Sequence, residues 1–457
     1  MSGADHARRQ GRTEAETAAA EVYAGILERT PEHDVQPTLD RVRAVCELLG
    51  DPQAAFRTIH LTGTNGKTST SRMVERLVRE HGLRTGRFTS PHLTDVRERI
   101  AIDGEPISAE RFVEVWQDVA PYVHMVDTRS LAEGGPRLSF FEVLTVMAFA
   151  AFADAPVDVA VIEVGMGGSW DATNVVDGEV AVITPVAYDH ERWLGHELTA
   201  IAGEKSGIIK DGATVVLAEQ SEDAEGVLLA VAAERGARVV RQGIDIDVAE
   251  RQVAVGGQLL SLRGLGGTYT EVFVPLHGVH QAQNALLALV AAEVLLSGGA
   301  ALNGDLVGAA FADVDSPGRL ELVRTSPTIL VDAAHNPAGI AALVAAVDES
   351  FEFTRLVGVV GVLDDKDAEN VLSGLEPLLA EIVVTRSSSP RAQDPEDLAQ
   401  IAVDIFGEDR VHVADRLDAA IDVAVQLAER AEDMGSGVLV TGSITLVADA
   451  RSLLGRG

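Results

Sequence analysis

Lysine is scarce. Of 37 basic residues in this 457-residue chain, four are lysine (Lys67, Lys205, Lys210 and Lys366) and 33 are arginine. Arginine holds its charge and cannot readily lose a proton, whereas lysine can be tuned, can act as a compact point charge, and can be modified. Positions that keep lysine against this trend are therefore where such chemistry is to be sought. Cysteine occurs once, as Cys46, which excludes a disulfide framework within the chain. It lies in the apolar-periodic stretch LDRVRAVCELLG and is expected to be a buried structural thiol. No basic run is longer than RR near the start, and the formal net charge is −33. Both argue against a nucleic-acid partner. No apolar run approaches ~20 residues and no apolar signal core opens the chain, so a cytoplasmic protein without a membrane partner is expected. Residues 1–18 are polar and charged and read as a disordered tail.

What is present is an alternating pattern. From about residue 56, strand-like runs (RTIHLT, VDVAVIEVG, EVAVITPV, ATVVLAE) alternate with helical stretches, in the buried, parallel-sheet manner. HQAQNALLALVAAEVLLS reads as a long helix, and residues 245–275 as a β-rich excursion inside the first domain. After DSPGR a second series begins: TILVDAAHN, LVGVVGVL, EIVVTRS, RVHVAD and GVLVTGS. The expected fold is thus α/β, with a phosphate-loop ATPase-type domain of mostly parallel sheet at 19–315. A Rossmann-like α/β domain follows at 316–457.

The strand–turn–helix HLTGTNGKTST supplies the context that a phosphate-binding loop requires. Gly63 and Gly66 let backbone N–H groups face phosphate oxygens, with Thr64, Asn65 and Ser69 in the same loop and helix start. Lys67 can reach the β- and γ-phosphates, and Thr68 can ligate Mg²⁺. Leu61 stands where the longer form of the motif has its first glycine. Glu163 ends an apolar strand before a glycine turn, where a carboxylate emerges at a sheet's carboxyl edge. His190, in YDH, also follows a strand. Taken alone, either residue reads as structural.

The short loop GTNGKT resembles that of the Mur ligase superfamily. TSPHL, RERIAIDGEPIS, SFFEVLT, EVGMGGSWDATN, DHERWLG, GEKSGI, HQAQNA, SPGRLE, DAAHNP, DDKD and TGS resemble its folate branch, in the family's order. The resemblance runs from about residue 20 to the C-terminus. It implies an ATP-dependent ligase that activates a carboxylate as an acyl phosphate and joins it to L-glutamate, the carboxylate being dihydropteroate or a folate. Another Mur-like ligase and a non-catalytic nucleotide-binding relative are the rival readings.

By the same resemblance, Thr68, Ser90, Glu163 and His190 surround Mg²⁺, and Lys205 is carbamylated so that its new carboxylate helps to organise the metal. A monovalent cation completes the expected cofactors. Lys67, Lys205, His190 and His335 are the catalytic candidates. Arg319 and Asp332 are expected at the phosphates and ribose of ATP, and Asn284 at the adenine. Phe141, Asp171, His335 and Ser443 are expected on the substrate side, Asp171 together with Asn174 as substrate-side or turn residues of the same pocket, with Asp364 and Lys366 as weaker candidates. Many relatives have arginine where this chain has Ser169. Lys210 is expected to cap a helix or to face solvent. A monomer is expected.

Overall fold

The computed structural model describes residues 13–31, 36–430 and 435–456. It contains two compact units, Met1–Asp247 with Arg263–Tyr269 and Leu286–Ala310, and Val248–Leu262 with Thr270–Ala285 and Phe311–Gly457.

The first unit is built on an eight-stranded sheet. Strands β1 (Arg57–Thr62), β2 (Thr85–Phe88), β5 (Val159–Glu163), β6 (Val180–Ile183), β7 (Thr214–Leu217) and β8 (Arg238–Arg241) are parallel to their neighbours. The short β3 (Ile100–Ile102) and β4 (Glu105–Pro106) extend one edge in antiparallel fashion. The spatial order is β4-β3-β2-β5-β1-β6-β7-β8. β5 and β6 read VAVIE and VAVI and are buried at every residue, as strands covered on both faces must be. The connection from β1 leads to one side, to β2, while that from β5 leads back past β1 to β6. This reversal opens a crevice at the strands' carboxyl ends.

Helix α1 (Glu14–Leu27) begins within the stretch expected to be a disordered tail. Thr13 and Glu16 form a reciprocal capping box that satisfies two otherwise orphaned N–H groups. Ala19 and Ile26 are buried on its inner face; residues 1–12 lie outside the described residues. Helix α2 (Asp40–Leu48) buries Cys46 completely, and desolvation pushes its thiol up to about 12. The thiol is structural, as expected.

Helix α3 (Lys67–Glu80) packs across β2 and β5 through Met73, Val74, Leu77 and Val78. Its Glu75 meets Arg87 of β2 at 2.9 Å with both side chains buried, so each charge is neutralised by its partner. Helices α4 (Ala109–Ala132) and α5 (Phe140–Asp154) complete this side, α5 being buried along most of its length. The short α6 (Glu191–Leu194) precedes α7 (Leu198–Lys205), which packs on α8 (Glu222–Glu234).

Strands β9 (Asp247–Ala254), β10 (Gly257–Arg263) and β11 (Thr268–Val274) form a three-stranded sheet from the β-rich excursion. Most of it groups with the second unit rather than the first. Arg251 donates to Glu349 (2.6 Å), and Gln258 donates to the carbonyls of Leu276 and Gly278 at 2.9 and 3.1 Å, tying these strands to that unit. Helix α9 (Val279–Ser297) is long and apolar enough on average to cross a membrane, although Gln281, Gln283, Asn284 and Glu293 interrupt its apolar residues. In the fold, 72% of that window is buried, as in a core helix. Helix α10 (Gly304–Ala312) follows.

The second sheet contains β12 (Glu321–Thr325), β13 (Thr328–Val331), β14 (Arg355–Val360), β15 (Glu381–Val384), β16 (Val411–Val413) and β17 (Ser436–Thr441). They lie in the order β12-β13-β17-β14-β15-β16, all parallel except the β12–β13 pair. Helices α11 (Pro337–Ser350), α12 (Ala368–Leu375), α13 (Pro395–Phe406), α14 (Leu417–Glu429) and α15 (Ile444–Leu453) connect and cover these strands. The two alternating series of the sequence are therefore two separate open sheets.

Candidate active site

The loop after β1 is shaped by close backbone approach. Gly63 has φ +141°, and a Cβ there would fall 1.8 Å from Thr184 Oγ1 at the end of β6. Only glycine fits. Thr64 N–H donates to the Pro185 carbonyl (2.9 Å). Its hydroxyl donates to the Ala187 carbonyl (3.0 Å) and accepts from the Ala187 N–H (2.9 Å). Gly66, at φ +91°, turns the chain into α3, whose amino-terminal dipole favours an anion. Asn65 is half-buried within the loop and Ser69 is buried in the first helical turn.

Lys67 Nζ donates to the Gly63 and Thr64 carbonyls at 3.0 and 3.1 Å. Thr68 donates its hydroxyl to the Glu163 carboxylate, 2.9 and 3.1 Å from the two oxygens. Glu163 is buried at the carboxyl end of β5, so loop and strand end meet at this contact. The buried Lys205 Nζ donates to the same Gly63 carbonyl at 2.9 Å. Burial lowers the Lys205 pKa to about 7, and the Lys67 charge acts in the same direction. Asp189, Asp171 and Glu204 oppose the shift. Near neutral pH a substantial fraction of this amine is therefore unprotonated.

Gly63, Thr64, Lys67, Asp189, His190 and Lys205 line one recess, with the Val164–Gly167 turn as a wall. His190 adopts the left-handed conformation (φ +53°) at the start of α6, and its side chain is partly exposed. Its N–H donates to Asp189 Oδ1 (2.8 Å). Asp171 lies beneath the turn, accepting from Met166 N (2.9 Å), Thr173 N (3.0 Å) and Thr173 Oγ1 (2.5 Å). Burial raises its pKa against these hydrogen bonds. Phe141 packs on Phe88, and its ring fills the space a side chain on Gly165 would need. Neither Phe141 nor Ser90 lines the recess; Ser90 follows β2, ahead of a cis peptide bond to Pro91.

The second unit holds the remaining candidates. Asp332 and Ser443 lie just beyond the carboxyl ends of the adjacent strands β13 and β17, with His335 in the loop after β13. Asp332 is buried and accepts from Leu320 N (2.7 Å) and Ala334 N (2.8 Å). Burial raises its pKa, while nearby Arg319 pulls it down. His335 donates from Nδ1 to the Ala333 carbonyl (2.8 Å), which leaves Nε2 as the acceptor nitrogen of the neutral ring. Ser443 caps α15, accepting from Leu446 N (3.2 Å). Asn284 is buried near the start of α9 and donates to Gln281 Oε1 (3.1 Å). Asp364 and Lys366 lie in the loop after β14, where their backbone N–H groups bond to Arg391 O and Leu363 O.

Sequence reasoning missed Asp189, Thr184 and Glu204. Asp189 had a signal, its place beside His190 in the same motif. Thr184 and Glu204 act through contacts that no spacing announces. Lys210 does not simply face solvent: its ammonium donates to the Asn174 carbonyl, in the last turn of the short 3-10 helix Ala172–Val175, at 2.9 Å.

Fold and site together define a phosphate-loop α/β protein of the Mur ligase class. Residues 114–292 match the Mur ligase middle domain, and residues 318–444 match the Mur ligase glutamate ligase domain. The chain is 50% identical over 449 residues to the dihydrofolate synthase/folylpolyglutamate synthase of Mycobacterium tuberculosis, covering 94% of this chain and 92% of that one. Its fold superposes on a crystal structure of the Mycobacterium tuberculosis folylpolyglutamate synthase complexed with ADP and AMPPCP. The TM-score is 0.93 at 48% identity, over 97% of this chain and all of that one. It also superposes on an FPGS–AMPPCP–folate complex, with a TM-score of 0.81 at 31% identity, over 95% of this chain and 99% of the other. The chain belongs to the dihydrofolate synthase/folylpolyglutamate synthase family.

Proposed function

We propose that this chain ligates L-glutamate to dihydropteroate, to reduced folates, or to both, at the expense of ATP. The observation that carries this reading is the meeting of Lys67, Thr68, Glu163 and Lys205 around the Gly63 carbonyl and the start of α3.

In this reaction a substrate carboxylate oxygen attacks the γ-phosphorus of ATP. ADP departs and an acyl phosphate forms. The glutamate amine then attacks the acyl carbon, phosphate leaves, and the nitrogen loses a proton. The transferred phosphoryl group needs fixed positive charge and oriented N–H donors rather than covalent help. Lys67 and the loop N–H groups are assigned to supply both. Arg319 is assigned to the phosphates, Asp332 to the ribose and Asn284 to the adenine. His335, Ser443, Phe141 and Asp171 are assigned to the substrate side.

Thr68, Ser90, Glu163 and His190 are the residues that would hold magnesium. The chemistry of the set fits, since it is rich in oxygen. No group of three or more His, Cys, Asp or Glu suited to a metal occurs among the described residues. When bound, the ion would take its remaining ligands from phosphate oxygens and water, in the manner of magnesium sites at nucleotides, and would neutralise charge on the phosphates.

We assign a carbamate to Lys205. Its neutral amine adds to CO₂, forming an N–C bond, releasing one proton and leaving a carboxylate in place of a cation. A monomeric, cytoplasmic enzyme that also takes a monovalent cation accords with this reading. The test is ADP release with purified chain, ATP, magnesium, glutamate and a panel of pteroates and folates, with products identified by mass. Glutamate-dependent ADP release with dihydropteroate or a reduced folate is expected; its absence across the panel refutes the assignment.

A further inference from the structure

We infer that Lys210 is a positioning residue for Lys205, acting through Asn174 to hold the segment at residues 203–210, the end of α7 and the turn after it, against the glycine turn at residues 165–174. The inference deepens the proposed ligase reading and rests on it only for the turnover arm of its test.

Two segments far apart in sequence lie backbone to backbone here. A Cβ on Gly168 would fall 2.7 Å from the Glu204 carbonyl oxygen and 3.1 Å from Lys205 Cα, and one on Gly207 only 2.4 Å from Ser169 Cα. Hydrogen bonds stitch the contact along its length. Ser169 donates from N and Oγ to the Glu204 carbonyl, at 3.0 and 3.1 Å. Trp170 N donates to Glu204 Oε1 at 3.3 Å. The Asn174 side-chain amide donates to the Ser169 carbonyl at 3.1 Å and to the Gly207 carbonyl at 3.0 Å. Both amide hydrogens are thereby used, one on each segment.

Lys210 closes this stitch from below. Its Nζ donates to the Asn174 backbone carbonyl at 2.9 Å. It also borders a recess formed in part by Val180, Thr214 and Arg238, the first residues of β6, β7 and β8. That is the amino edge of the parallel sheet, opposite the phosphate loop, so Lys210 does not touch reacting atoms. Lys205 and Lys210 thus bracket Gly207, whose carbonyl is gripped by Asn174. Lys205 points to Gly63 at the carboxyl edge, and Lys210 anchors the segment's far end. Lys210 is half-buried, and burial lowers its pKa. An apolar replacement would leave the Asn174 carbonyl without this donor and release the residue that grips Gly207.

The scarcity of lysine makes the test clean. Pulse acetylation followed by peptide mass spectrometry reads each of the four lysines separately. In the wild-type chain Lys205 should label far more slowly than Lys366. In Lys210→Met, Lys205 labelling should rise on the order of ten-fold, while Lys67 labelling and the thermal midpoint stay close to wild type. Turnover should fall on the order of 10- to 100-fold, the scale of a small misplacement in an active site, with the KM for ATP little changed. Asn174→Asp, which removes the amide donors, should reproduce the labelling pattern. Lys210→Arg, which keeps a charged donor, should recover most of it.

Unchanged Lys205 labelling in Lys210→Met overturns the inference. So does a parallel rise at Lys67 and Lys366 with a lowered thermal midpoint, which marks general loosening. If labelling shifts as expected but the wild-type chain shows no ligase turnover, the positioning role stands and the proposed function fails.

Discussion

Replacing Lys205 with methionine should stabilise the folded chain at neutral pH while abolishing turnover. Burial lowers the Lys205 pKa from 10.5 to about 7. At about 1.4 kcal/mol per decade, keeping this group in the fold at pH 7 costs about 4 kcal/mol. The sign follows from proton counting. Between pH 7 and 10.5 the unfolded chain holds a proton on this amine that the folded chain has released. The wild-type protein therefore gains stability as pH rises through that window, and the penalty is nearly gone at its upper end. Methionine has a similar length and carries no charge, so it never incurs the penalty. The lost hydrogen bond is cheap, because the Gly63 carbonyl still accepts from Lys67 at 3.0 Å; about 1 kcal/mol covers it. A net gain of about 3 kcal/mol at pH 7 remains, shrinking toward zero near pH 10. Urea unfolding of both proteins at several pH values, in bicarbonate-free buffer so that no carbamate forms, measures the difference. Other titrating groups cancel between the variants. A methionine variant no more stable than wild type at pH 7, or a gain that does not shrink with pH, refutes the buried-amine argument.

Four further outcomes are expected. Lys67→Ala should lose ligation by at least about 100-fold with its unfolding midpoint little changed, since the lysine serves phosphate charge rather than packing; near-normal turnover would overturn the loop assignment. Lys205→Arg should be almost as inactive as Lys205→Ala, and acetate should partly restore only the alanine variant; a healthy arginine enzyme would sink the carbamate. Arg319→Ala should raise the KM for ATP or lower turnover by on the order of 10-fold or more, and unchanged ATP kinetics would remove Arg319 from the nucleotide. Ser169→Ala should cost at most about 1 kcal/mol in chemical denaturation and little turnover. The Ser169 backbone N–H still holds the Glu204 carbonyl at 3.0 Å, so a collapse in turnover would reveal a role for the hydroxyl beyond this contact.

The parts of the site legible in the sequence are those whose chemistry depends on local order. Gly63, Gly66, Lys67 and Thr68 follow one strand and open one helix, so spacing alone places them. Glu163 was legible as the polar end of an apolar run. Lys205 stood out only because lysine is otherwise so rare, and the carbamate proposed for it rests on family resemblance rather than on spacing. What stayed hidden depends on segments meeting in space. Thr184 matters because its hydroxyl occupies the place of a Gly63 side chain, and Glu204 because two backbone N–H groups meet its oxygens. The early start of α1 was masked by its polar composition, which is suited to a solvent-facing helix as much as to a tail. The β-rich excursion was readable as strands but not as to which unit it joins, because that rests on ties such as Arg251 to Glu349.

The way Thr64 is held has a thermodynamic consequence. Its N–H and hydroxyl are fixed on Pro185 and Ala187, by contacts within the fold itself. The conformational entropy of ordering the loop is therefore spent during folding, not at binding. If Lys67 serves the phosphates as proposed, its ammonium must exchange the Gly63 and Thr64 carbonyls for phosphate oxygens, a change confined to one side chain.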